Sequence, residues 1–63
     1  LECYRCGVSG CHLRTTCSAK EKFCAKQHNR ISTLWWHGCV ETCTEDETWK
    51  FYRKCCTTNL CNI

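Results

Sequence analysis

The chain has 63 residues, ten of them cysteine, and its nine basic and six acidic side chains leave a net charge of +3. That length holds one small domain, which buries only about 60% of the surface its unfolded chain exposes, so packing alone leaves the fold marginal. A charge this mild does not support nucleic-acid binding, no apolar run approaches the ~20 residues of a membrane span, and a cysteine content this high marks a disulfide scaffold made for an oxidising compartment.

The even number of cysteines permits five bridges with no thiol left over. No signal-peptide composition is present, so a mature secreted form is expected. No apolar C-terminal tail of the kind that precedes a lipid anchor occurs. No Asn-x-Ser/Thr sequon occurs either.

In chain order, the cysteines divide the sequence into three excursions from a cysteine-dense base. The first runs from Cys3 to Cys17 and holds an extra pair, Cys6 and Cys11. The second covers the fourteen residues between Cys24 and Cys39, and the third the eleven between Cys43 and Cys55. The segments KFCAKQH and LWWHGCV are rich in aromatic and β-branched residues, with polar residues between them, and predict paired strands. TWKFYRKC alternates, with Trp49, Phe51, Arg53 and Cys55 on one face and Lys50, Tyr52, Lys54 and Cys56 on the other. Neighbours on a strand point to opposite faces, so Cys55 and Cys56 should bond different partners. One can tie the third excursion across its base while the other closes the short loop to Cys61. No segment shows a 3.6-residue apolar period, and little or no helix is expected.

Spacing alone does not determine how ten cysteines pair. LECYRC at the start and CCTTNLCN at the end, joined by this cysteine frame, resemble the three-finger family of snake-venom toxins and the related urokinase-receptor-type domains. The extra pair Cys6 and Cys11, with ECYRCGVSGCHL and TCSA, is similar to the non-conventional, five-bridge branch. The resemblance implies a small, disulfide-rich, all-β fold in which three antiparallel hairpin loops leave a cysteine-rich base. It implies the pairs Cys3–Cys24, Cys6–Cys11, Cys17–Cys39, Cys43–Cys55 and Cys56–Cys61. Finger I would then span about residues 4–16, finger II about 25–38 and finger III about 44–54, in one domain over residues 1–63. It further implies that Asn62 ties the C-terminal segment to the core through side-chain hydrogen bonds.

Enzymatic chemistry is not expected. The Cys3/Cys6 and Cys39/Cys43 spacings could serve zinc, but five bridges consume the thiols. His12, His28 and His37 are read as solvated strand-edge side chains, because a domain this small has no cleft to tune them. No catalytic, calcium or cofactor-binding motif occurs. TEDET is expected at the tip of finger III, as a solvated turn or a secondary contact with a basic patch on a receptor.

The stretch KQHNRISTLWWHG in finger II is the most informative. Its candidate receptor-binding residues are His28, Arg30, Ile31, Leu34, Trp35 and Trp36. An exposed Trp beside Arg has the composition of a binding hot spot, and adjacent Trp residues on a strand should leave one packed on the sheet and the other exposed. The Trp-x-Asp-x-Arg-Gly arrangement of conventional postsynaptic toxins is absent, so tight blockade of the muscle receptor is not expected. The resemblance implies a secreted, monomeric venom neurotoxin that binds a receptor or ion channel without catalysis. The implied setting is cholinergic transmission, at the nicotinic acetylcholine receptor or in presynaptic acetylcholine release. The alternatives are membrane contact through finger II, as in cytotoxins, and an endogenous urokinase-receptor-type modulator.

Overall fold

The computed structural model describes residues 1–32 and 34–63; Thr33, in the second excursion, lies outside the described residues. The described residues form six strands and no helix. Strand β1 (Glu2–Gly7) pairs antiparallel with β2 (Gly10–Thr16) as a separate two-stranded sheet. Strands β3 (Phe23–Asn29), β4 (Leu34–Val40), β5 (Asp46–Glu47) and β6 (Phe51–Cys56) form a second antiparallel sheet in the order β4-β3-β6-β5.

Each hairpin turn has its own chemistry. In the first, Gly10 takes a φ of 137°, which side-chain-bearing residues rarely adopt. In the second, Asn29 Oδ1 accepts the backbone N–H of Ile31 at 3.0 Å and of Ser32 at 3.3 Å, an Asx turn that starts the reversal. In the third, Thr48 Oγ1 accepts the N–H of Lys50 at 3.2 Å and of Phe51 at 3.0 Å, and the Thr48 N–H donates to Phe51 O at 2.7 Å. The third turn is therefore Thr48–Trp49–Lys50, not the acidic run expected there. Asp46 and Glu47 lie on β5 opposite Arg53 and Tyr52. The alternation read across TWKFYRKC holds from Phe51 onward, while Trp49 and Lys50 belong to the turn. A Thr side chain able to cap the reversal moved the tip two residues past the acids.

The base is built from sulfur and hydrogen bonds. Disulfides join Cys3–Cys24, Cys6–Cys11, Cys17–Cys39, Cys43–Cys55 and Cys56–Cys61, and no cysteine is free. Cys3 and Cys24 are fully buried, and Cys3 Sγ lies 3.2 Å from Cys17 Sγ, so two bridges pack against one another. The C-terminal loop wraps β1. The Glu2 N–H donates to Asn59 Oδ1 at 3.0 Å and the Leu60 N–H to Glu2 O at 2.7 Å. Asn62, 1% exposed, completes the wrap: its Oδ1 accepts the Tyr4 N–H at 2.8 Å, and its Nδ2 donates to Tyr4 O and Ala25 O, each at 2.9 Å. One amide thus joins the C-terminal segment to β1 and to β3, an interior strand of the larger sheet.

The Cys6–Cys11 bridge closes a sequence separation of 5 inside the first hairpin, against 21 and 22 for Cys3–Cys24 and Cys17–Cys39. Short loops restrict the unfolded chain least. The double replacement Cys6→Ser/Cys11→Ser is expected to keep the sheet and to cost no more than about 2 kcal/mol. Circular dichroism and a thermal melt of the double variant check this; loss of the folded spectrum would make the bridge as essential as those of the base.

Candidate functional site

Cross-strand register sorts the candidate residues by face, because directly opposed residues share one. His28 stands opposite Trp35 on β4 and Tyr52 on β6, and Lys26 stands opposite His37 and Lys54. These six side chains share the face that carries Cys24, Cys39 and Cys56 at its base. Gln27 stands opposite Trp36 and Arg53, and Asn29 opposite Leu34 and Phe51, on the other face.

On the first face, His28 and Trp35 stack with ring centroids 4.2 Å apart and planes 2° from parallel. Trp35 meets Tyr52 edge-on at 6.4 Å. The Arg30 guanidinium lies 6.0 Å from the Tyr52 ring centroid, within reach of a cation–π contact. It also lies 3.7 Å from the Glu47 carboxylate. Both charged groups are largely solvated, so this ion pair contributes at most about 1 kcal/mol. The result is a half-open aromatic ledge with a guanidinium at its distal end.

On the other face, the Trp36 indole folds back over Gly38; a Cβ there would stand 2.7 Å from its ring. Trp36, Leu34 and Phe51 line one shallow hollow with Gln27 and Asn29. A second hollow, lined by Trp36, Ala25, Val40 and Arg53, adjoins it. Arg53 is held there by Gln27 Oε1 at 3.1 Å and Thr44 O at 3.4 Å.

The six candidates therefore divide. Arg30, His28 and Trp35 converge on one face, Leu34 and Trp36 lie on the other, and Ile31 sits in the turn between them. The expectation that one Trp packs on the sheet while its neighbour is exposed fails. Trp35 is 47% and Trp36 41% exposed. The sheet is one layer thick here, so each face supplies a ledge and neither supplies a core. Sequence reasoning passed over Tyr52, whose contribution needs the β3–β6 register, and placed Trp49 and Lys50 on a strand.

His37 also departs from expectation: it is 8% exposed, not solvated. Its Nδ1 lies 3.4 Å from Cys6 Sγ, so the first hairpin packs over it. Together with Cys6 and Cys11 it forms a compact group of sulfur and imidazole, but both sulfurs are spent in a disulfide and offer no thiolate to a metal. Burial, and secondarily the nearby Lys26 ammonium, lower its pKa below the usual 6.5. The unfolded chain therefore takes up this proton first as pH falls. The stability that neutral His37 contributes is complete above about pH 6.5 and is lost as pH drops through the folded-state pKa. Denaturant midpoints between pH 7 and pH 5 should fall in the parent and fall less in His37→Gln; equal slopes would refute the assignment.

A family model described as snake toxin and toxin-like protein matches residues 1–62. Among curated proteins, the chain is 68% identical over 62 residues to bucandin from Bungarus candidus, covering 98% of both chains. It is 64% identical over 62 residues to actiflagelin from Walterinnesia aegyptia, again covering 98% of both. Among solved structures, the solution structure of bucandin, a neurotoxin from the venom of the Malayan krait, superposes with a TM-score of 0.90 at 67% identity, with full coverage of both chains.

Proposed function

We propose a function for this chain from a settled premise: it belongs to the snake toxin and toxin-like protein family, as a five-disulfide three-finger toxin. It is a secreted venom protein and not an enzyme. In our reading it acts by binding a receptor or ion channel on the surface of neurons, within cholinergic transmission. The observation that carries the reading is the ledge on finger II, where Arg30 is presented in solvent beside the stacked rings of His28 and Trp35.

An exposed guanidinium on a rigid aromatic support suits a receptor surface that offers carboxylates or aromatic rings. Of the two routes within cholinergic transmission, the postsynaptic one needs direct contact with the nicotinic acetylcholine receptor, and the presynaptic one alters acetylcholine release. One experiment separates them. The pure chain is applied to a nerve–muscle preparation while miniature and evoked end-plate potentials are recorded. A changed number of quanta per impulse at constant miniature amplitude indicates the presynaptic route. Reduced miniature amplitude indicates receptor block. No change in either overturns the cholinergic reading.

A further inference from the structure

Among the described residues, two groups bring three sulfur or imidazole ligand atoms within 4.8 Å of one another. Cys3, Cys17 and Cys39 draw theirs from two long-range bridges of the base, which the fold needs. The other group is Cys6, Cys11 and His37. Its bridge lies inside one hairpin and closes a sequence separation of only 5. Cys56–Cys61 has the same separation, but the bonds of Asn59, Leu60 and Asn62 hold that loop shut. Cys6 and Cys11 are half-buried, whereas Cys3 and Cys24 are sealed from solvent. His37 belongs to a different finger, on β4, and its Nδ1 lies 3.4 Å from Cys6 Sγ.

We infer that a low-molecular-weight thiol opens Cys6–Cys11 before the other bridges, and that the freed Cys6 and Cys11 thiolates then join His37 Nδ1 as ligands of a zinc-class divalent cation. The inference is independent of the receptor reading. Two monothiols supply the two electrons. The first, as thiolate, attacks a bridge sulfur and breaks the S–S bond, leaving a mixed disulfide and one protein thiolate. The second displaces the other protein sulfur, and the two reductant molecules leave as their own disulfide. The cation then takes the place of the two thiol protons, and the imidazole donates the lone pair on Nδ1. Four residues separate Cys6 from Cys11, a spacing common in the cysteine pairs of zinc sites. Zinc bonds of ~2.3 Å to sulfur and ~2.0 Å to nitrogen set neighbouring tetrahedral ligands roughly 3.5 Å apart. Cys6 and His37 already stand at that separation. A hollow lined by Cys6, His37, Arg5 and Glu21 gives the ion a path from solvent and leaves water the fourth position. Two thiolates neutralise the dication, so the nearby cations Arg5 and Lys26 face no net charge, and the Lys26 ammonium is held by Ile63 O at 2.9 Å. The disulfide ties β1 to β2 within finger I; the cation ties both to β4 of finger II.

The test treats the full oxidised chain with rising glutathione, traps free thiols by alkylation and maps them by mass spectrometry. Cys6 and Cys11 are expected to be labelled before any other pair; earlier labelling of another pair overturns the inference. The species reduced at that bridge alone is then isolated, freed of glutathione and titrated with cobalt(II) and with zinc(II). A single ion should bind per chain, with the thiolate-to-cobalt absorption of a tetrahedral site. The melting temperature should rise with zinc concentration, because the ion binds the folded form. The oxidised parent and Cys6→Ser/Cys11→Ser should show neither effect. Zinc binding by the dithiol form no tighter than by these two overturns the site. His37→Gln, reduced in the same way, should bind zinc roughly tenfold more weakly or worse, since losing a ligand costs at least as much as losing one of its supporting contacts. The His37 ring signals of the parent, followed by nuclear magnetic resonance, report the same contact without a substitution and should shift with zinc in the dithiol form only. Unshifted signals put the ion on the hairpin thiols alone and overturn the inference.

Discussion

Asn62→Ala is expected to lower the stability of the fold by about 3 kcal/mol or more, because a buried donor or acceptor left unmade costs ~1–3 kcal/mol. The substitution orphans three backbone groups at once: the Tyr4 N–H, the Tyr4 carbonyl and the Ala25 carbonyl. Asn62 is 1% exposed, so water cannot take its place without opening the loop. In a domain of this size, each kcal/mol shifts the melting temperature by about 4–8 °C, and the expected drop is therefore on the order of 12–24 °C. A thermal melt of the oxidised protein measures it. Asn62→Asp supplies a sharper control. The carboxylate can still accept from Tyr4, but it faces two carbonyl oxygens where the amide had donated. Folding then favours the protonated acid and raises its pKa above the unfolded value. Measured against the parent at the same pH, the variant should be less destabilised below about pH 4 than at pH 7, since the unfolded chain releases the proton first as pH rises. A loss of under 1 kcal/mol in Asn62→Ala, or an Asp variant indifferent to pH, would show that the C-terminal wrap is held by its disulfide and the Glu2 bonds to Asn59 and Leu60, without Asn62.

Arg30→Ala and Trp35→Ala are each expected to cost about 2 kcal/mol in receptor binding, the usual hot-spot scale, or roughly a thirtyfold loss of affinity. Both act on the same face, Arg30 through its charge and Trp35 through the ring that stacks on His28. Trp36→Ala is expected to matter far less, because its indole lies on the opposite face over Gly38. Unfolding is a small risk for either Trp variant, since neither ring is buried. Glu45 and Asp46 should act mainly on association rate and its salt dependence. The measurement is affinity for the responding receptor, with each variant checked for a native melt. Equal losses at Trp35 and Trp36 would mean that the finger enters its site end-on, with both faces in contact. Parent-like binding by Arg30→Ala and both Trp variants would move the contact surface off finger II.

Several of these features were legible in the residues alone. Cys55 and Cys56 had to diverge because strand neighbours face opposite ways, and in the structure they bond Cys43 and Cys61. The absence of helical periodicity pointed to an all-β chain, and the described residues contain no helix. The cysteine frame and the terminal motifs LECYRC and CCTTNLCN carried the family. These are properties of short segments or of spacing, and they survive without knowledge of neighbours in space.

Three matters depended on tertiary structure. His37 reads as a polar strand residue, and only the first hairpin packing over it makes it buried and acid-sensitive. The tip of finger III reads as acidic from TEDET, yet the Thr48 caps place Trp49 and Lys50 there. The partition of Trp35 from Trp36 follows from alternation, but which of them joins Arg30 was decided by the pairing of β3 with both β4 and β6. The sequence by itself determined the all-β class and the cysteine-dense base, through local alternation and covalent spacing, while the three-finger fold and the cysteine pairing were legible only through the resemblance of its frame and terminal motifs to a known family. Only the tertiary structure decided which side chains share a surface, because register and turn position are set by hydrogen bonds between segments far apart in the chain.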